Sequence, residues 1–213
     1  MQTLKILLSI FILVVCSAAI VLVFWQQEIQ YVQPAPVPEN YEAVGRGQQV
    51  RLEKLAALPA RKHIFLHFFN PECPCSRFNV PHFLQLHRQY GQQIDFQVII
   101  PAFADAGAAR QLLGEEIPVF VDRESRFAQA CGVYATPQAI IIDGTGKLYY
   151  RGNYNRARYC TTPATSYARL ALQNYLQGNP PPYLGLLAEE ARGCSFLHPE
   201  EKGIALFFSS LIN

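Results

Sequence analysis

Residues 63–83 read HIFLHFFNPECPCSRFNVPHF, and this stretch restricts the fold more than any other. An aromatic-rich apolar run from Ile64 to Phe69 stops at Asn70-Pro71. That composition suits a pleated, buried strand. After Pro74 the apolar positions Phe78, Phe83, Leu84 and Leu86 recur at three- and four-residue steps, which is a helical period; Gly91 ends it. Cys73 and Cys75 therefore stand where a strand hands over to a helix, with Cys75 just inside the helix. Helix N-termini present unpaired N–H groups and a partial positive charge. Both favour a thiolate, the reactive form of cysteine.

The chain has 213 residues, enough for one domain with a substantial core and additional segments. A net charge of +2 with no basic stripe gives no ground for nucleic-acid binding. Six cysteines are too few for a disulfide-held miniprotein of this length. The N-terminus speaks to location. Ile6 to Trp25 is twenty residues without a charge, long enough to cross about 30 Å of hydrocarbon. Lys5 precedes it and no Lys or Arg follows before Arg46, so the positive-inside rule leaves the N-terminus in the cytoplasm and exports the rest. The run is long for a signal peptide and no A-x-A site follows. Val15 before Cys16 does not suit a lipoprotein cleavage site. The expectation is an uncleaved single-pass anchor over residues 1–25 in a bacterial inner membrane, with the remainder in the periplasm.

Residues 26–47 are proline-rich, with PAPVP the clearest part, and read as a semi-extended tether. The spacing of Val50, Leu52, Leu55 and Leu58 predicts a short helix over 48–58. Strands are expected at 62–69, 94–100, 118–121, 138–142 and 147–151, and helices at 74–90, 104–113, 123–131 and 163–177. Asp143-Gly144-Thr145-Gly146 between the last two strands is a hairpin signal. Early alternation of strands and helices requires parallel pairing with right-handed crossovers, and the late hairpin adds antiparallel strands. The fold class is α/β, a mixed sheet with helices on both faces, over residues 48–177. Residues 178–213 form a C-terminal extension with one short helix and a last apolar stretch.

Phe68-Phe69-Asn70-Pro71-Glu72-Cys73 before a helix, Gly132-Val133-Tyr134-Ala135-Thr136-Pro137 before a strand, and the Asp-Gly hairpin together resemble the thioredoxin-like superfamily, in its membrane-anchored periplasmic thiol–disulfide oxidoreductase form. The resemblance covers roughly residues 48–177. It implies that Thr136-Pro137 carries a cis bond and lies against the sulfur of Cys73, the nucleophile. It also implies client proteins bearing thiols or disulfides as partners, or a small thiol, and no cofactor.

The departures from that pattern matter as much. The family's second cysteine is replaced by Ser76, whose hydroxyl is in place to donate to a Cys73 thiolate. Cys75 is two positions from Cys73, and on a helix such positions point about 200° apart, so closure between them would need local unwinding. Cys73 either works alone or is resolved by Cys75 or Cys131. Glu72 stands where the family often has Trp, and its carboxylate would favour the thiol. His67 occupies the position of the family's buried proton-relay carboxylate, and an ordinary imidazole pKa near 6.5 suits proton transfer.

Among the other cysteines, Cys131 follows Phe127 at helical spacing and reads as core. Cys160 and Cys194, in irregular segments of an exported domain, are expected to pair with each other. The arginines of the loop 151–158 read as a solvated surface or as a contact for an anionic thiol. Two alternative functions stay open. A peroxiredoxin-like peroxidase would need Ser or Thr three residues before the cysteine and an upstream Pro, where this chain has Asn70 and Leu66. A copper-binding or copper-delivery module would use Cys73, Cys75 and a folded-back His198, since thiolate and imidazole suit Cu(I).

Overall fold

The structure, a computed structural model, describes residues 2–25, 33–50, 63–157 and 162–199. The chain divides into two compact units, one of Met1–Gln33 with Glu201–Asn213 and one of Pro34–Glu200. In the first, α1 (Gln2–Phe24) is a 23-residue helix whose most apolar 18-residue window has mean hydropathy 3.2, and none of its residues is buried. At a rise of about 1.5 Å per residue it matches the thickness of a bilayer core.

The second unit is built on a five-stranded sheet in the order β3-β2-β1-β5-β6. Its strands are β1 (Ile64–Phe68), β2 (Asp95–Pro101), β3 (Val119–Asp122), β5 (Gln138–Ile142) and β6 (Leu148–Gly152). The first three run parallel, and β5 and β6 run antiparallel to them. Helices α2 (Pro74–Tyr90), α3 (Ala106–Leu113), α4 (Arg126–Cys131) and α5 (Tyr167–Leu176) cover the sheet. A second sheet of two short strands pairs β4 (Ala135–Thr136) with β7 (Cys194–Ser195), and one-turn α6 (Leu186–Glu189) precedes β7. This is the thioredoxin-like mixed α/β architecture.

β1 is the central strand, and all five of its residues are buried, which is why its sequence is an unbroken apolar run rather than an alternating one. Phe65 and Phe69 join Phe83 and Leu86 of α2, Leu113 of α3 and Leu172 of α5 on one face. Ile64, Leu66 and Phe68 join Phe127 and Cys131 of α4 on the other. Each such side chain contributes about 1.5–3 kcal/mol through its burial. β1 is thus fixed from both sides, and so is the turn at its C-terminal end.

Two expectations need correction. The part of the predicted 48–58 helix that lies within the described residues is extended: Gln49 bridges Lys147 and Val50 N donates to Gly146 O. The hairpin offers that backbone partners that a helix start would not; residues 51–62 lie outside the described residues. Residues 34–47, expected as tether, are bonded to the domain at several points. Ala35 N donates to Ala191 O, Tyr41 Oη to Gly132 O, and Arg151 to Val44 O. The same contacts occupy Arg151, so this arginine of the 151–158 loop is not a solvated cation. Tyr154 of that loop is buried.

Candidate active site

The turn after β1 is closed locally: Asn70 Oδ1 accepts from Glu72 N at 3.0 Å and Asn70 O accepts from Cys73 N at 3.0 Å. Cys73 then takes the N-cap position of α2 with extended backbone, φ −77° and ψ 121°, and Pro74 opens the helix. Proline suits that place, since its missing N–H has no helical partner there. Glu72 is exposed, pointing away from the buried turn.

Cys73 is joined in a disulfide to Cys194, with 6.0 Å between their Cα atoms. The expected Cys160–Cys194 bridge is therefore not the one formed; Cys160 itself lies outside the described residues. The cause is the pairing of β7 with β4, which sets Cys194 opposite Thr136. Thr136-Pro137 is a cis peptide, and the Thr136 carbonyl oxygen is 3.7 Å from Cys73 Sγ. Three segments far apart in the chain thus meet at one sulfur. A separation of 121 residues has no spacing signature, and the sequence reading missed Cys194 for that reason.

Cys75 is also here. The sulfur atoms of Cys73, Cys75 and Cys194 all lie within 4.8 Å of one another, and all three residues are buried. The helical argument that set Cys75 facing away from Cys73 fails because Cys73 is the cap and not yet helical. Its extended backbone turns both side chains to the same side. The cluster contains no imidazole, so His198, exposed in the tail, has no part in it. With the disulfide reduced, the three thiols are a set of soft donors; in the disulfide form two of them are bonded to each other.

Ser76 does not serve the sulfur. Thr136 Oγ1 donates to Phe68 O at 2.9 Å, which uses its only proton. In the 2.8 Å contact between Thr136 Oγ1 and Ser76 Oγ, Ser76 must therefore be the donor. Ser76 Oγ in turn accepts from Asn70 N at 3.3 Å. The residue in the place of a second family cysteine is a latch between α2, the end of β1 and the cis-proline loop.

Cys131 is completely buried in the cluster that holds Phe68, Phe127 and Phe196, and burial pushes its thiol up to about 12, with Asp122 adding to the effect. A thiol held protonated in this way is a core residue. His67 is equally buried, its ring stacked on Phe83 at 4.3 Å and its Nδ1 2.7 Å from the Tyr154 hydroxyl. Burial, aided by nearby His82 and partly opposed by a backbone hydrogen bond at Gln138, lowers its pKa to about 3. It stays neutral at physiological pH, and the titration near 6.5 expected from its residue type does not occur.

A family model described as Domain of unknown function (DUF6436) matches residues 42–195, more than half of the chain. The chain belongs to the DUF6436 family. The match includes all three residues of the sulfur cluster. No curated protein matches the DUF6436 chain. Among solved structures it is similar to an uncharacterized conserved protein from Geobacillus kaustophilus, with TM-score 0.60 and 21% identity, covering 78% of this chain and 100% of that one. It is also similar to a hypothetical protein from Sinorhizobium meliloti 1021, with TM-score 0.58 and 18% identity, covering 76% of this chain and 98% of that one. Both likenesses speak to the fold alone. A secreted Mycobacterium tuberculosis disulfide oxidoreductase homologous to E. coli DsbE gives TM-score 0.41 at 17% identity, covering 58% of this chain and 85% of its own.

The neutral His67 makes stability depend on pH. Its folded-state pKa of about 3 lies below the ordinary 6.5, so below pH 6.5 the unfolded chain binds a proton that the folded chain refuses. The contribution is present above that pH and is lost as pH falls, by up to about 1.4 kcal/mol per pH unit. Urea unfolding from pH 7 to pH 4 should show a shallower loss in His67→Gln than in the wild type. Equal slopes would mean that the folded protein protonates His67.

Proposed function

We propose that this DUF6436 protein is a membrane-anchored thiol–disulfide exchange protein of the periplasm, with Cys73 as nucleophile and Cys194 as the thiol that resolves it. The observation that carries the reading is the Cys73–Cys194 disulfide itself, formed at a helix N-terminus beside the Thr136–Pro137 loop. In the oxidised protein, a client thiolate attacks Cys73 Sγ, the bond to Cys194 breaks, and Cys194 leaves as a thiolate. A second client thiolate then attacks the client sulfur of the mixed disulfide and releases Cys73. The client gains a disulfide and the protein becomes a dithiol. Run backwards, the dithiol reduces a client disulfide, with Cys194 attacking Cys73 to release the client. In the reduced protein the N-terminus of α2 stabilises the Cys73 thiolate. Thr136, Pro137 and Ser76 are positioning residues. α1 supplies the anchor on the grounds of its length and apolarity.

A second reading is favoured by the three clustered sulfurs. After a dithiol reduces the disulfide, Cys73, Cys75 and Cys194 bind one Cu(I) as three thiolates, a soft ligand set for a soft ion. With metal–sulfur bonds of about 2.3 Å, the sulfurs of such a site lie about 4 Å apart, within the span they already have.

Cys73→Ala should abolish exchange with a model disulfide, and Cys194→Ser should retain the first step and accumulate a mixed disulfide visible by mass spectrometry. Full exchange by Cys73→Ala would rule the mechanism out. For the anchor, protease added to spheroplasts should digest the domain; protection unless the inner membrane is lysed would reverse the topology. For copper, anaerobic titration of the reduced full-length protein should take up one Cu(I) that Cys75→Ser binds at least tenfold more weakly. Uptake no greater than that of the oxidised protein would end the second reading.

A further inference from the structure

The segment that carries Cys194 meets the cis-proline loop as an added strand. β7 runs antiparallel to β4 in the register Ala135↔Ser195 and Thr136↔Cys194, and Phe196 N donates to Tyr134 O at 2.9 Å. Its side chains fit the surface one by one. At Gly193, φ is +111° and a Cβ would lie 2.3 Å from Thr136 O and 3.4 Å from Pro137, so no larger residue passes there. Cys194 is bonded to Cys73. Ser195 faces away, and its Oγ accepts from His198 N. Phe196, two residues after the cysteine and so on the same side of an extended strand, is 2% exposed with its ring edge-on to Phe68 at 5.1 Å.

We propose that the edge of β4 is the docking surface for the client, that the client binds as an extended antiparallel strand of the form Gly-Cys-x-aromatic, and that residues 193–196 occupy that surface as an internal copy of it. The inference deepens the exchange function proposed above and rests on it. A sulfur that bonds to Cys73 takes the place of Cys194, because Cys73 is 2% exposed and Cys194 stands at its sulfur. The rest of its strand then follows the path of β7, past the Thr136 carbonyl and over the Phe68 ring. Recognition is strand addition, with backbone bonds giving affinity and alternate side chains giving selectivity. The tethered copy competes at an effective concentration on the order of millimolar, so a client lacking the glycine or the aromatic does not displace it. Strand exchange and thiol exchange are one event. As the client thiolate bonds to Cys73, Cys194 departs as a thiolate with its strand; as Cys194 returns to attack Cys73, β7 expels the client strand.

The test uses full-length Cys194→Ser with Cys73 loaded as a mixed disulfide with thionitrobenzoate, whose release is read by absorbance. The peptide Ala-Arg-Gly-Cys-Ser-Phe-Leu should react at least tenfold faster than the same peptide with Gly replaced by Ala or with Phe replaced by Ala. Adding Phe196→Ala to the protein, which loosens the internal strand, should speed the matched peptide further. Mass spectrometry should find that peptide on Cys73. Rates equal within a factor of two for all peptides would overturn the proposal and leave the exchange function standing. Silence with every thiol, small ones included, would remove the exchange function and this proposal together.

Discussion

Thr136 holds the site together. Its hydroxyl donates to the last residue of β1 and accepts from Ser76 on α2, its backbone pairs with Cys194, and its carbonyl stands against the Cys73 sulfur. The residue is completely buried, so each of these bonds is made in a medium where an unsatisfied partner costs about 1–3 kcal/mol. That cost fixes the relative position of strand end, helix start and proline loop to within hydrogen-bond tolerance. A cysteine placed on any of the three is thereby placed with respect to the others.

The role of Ser76 follows from the same constraint. A second thiol at this position would be a redox partner for Cys73, but it is a weak hydrogen-bond donor and acceptor. The hydroxyl carries both bonds well, to Thr136 and from Asn70. The chain thus has a stiffer junction than a cysteine pair would give, and the partner sulfur comes from 121 residues away. In the proposed exchange, the resolving group stands on strand β7 and not on the helix.

What the sequence made legible was what local periodicity controls. The unbroken apolar run of β1, the three- and four-residue steps of α2 and the Asp-Gly hairpin are each consequences of one element's burial, and each could be read at its place. Cys75 was misjudged because a helical rule was applied to a residue, Cys73, that caps the helix with extended backbone. His67 was misjudged because a side chain's ordinary pKa says nothing of its burial. Its neutral state is set by Phe83, Tyr154 and the sheet around it. Cys194 was assigned the wrong partner because a two-residue strand following a proline-rich segment has no period to detect.

Burial of the disulfide changes what limits the chemistry. Cys73 and Cys194 are 2% and 1% exposed, so an incoming thiolate reaches Cys73 only as β7 gives way. The barrier to exchange then includes parting the β4–β7 backbone bonds and withdrawing Phe196 from beside Phe68 as the Cys73–Cys194 bond breaks. Helix-terminal stabilisation of a thiolate governs how well Cys73 leaves or attacks. It has no influence on whether the strand opens. A small thiol gains nothing from the strand edge, whereas an extended chain replaces each lost backbone bond as it enters. In the proposed exchange, selectivity for polypeptide over small thiols therefore arises from the cover on the sulfur, independent of the sulfur's own reactivity.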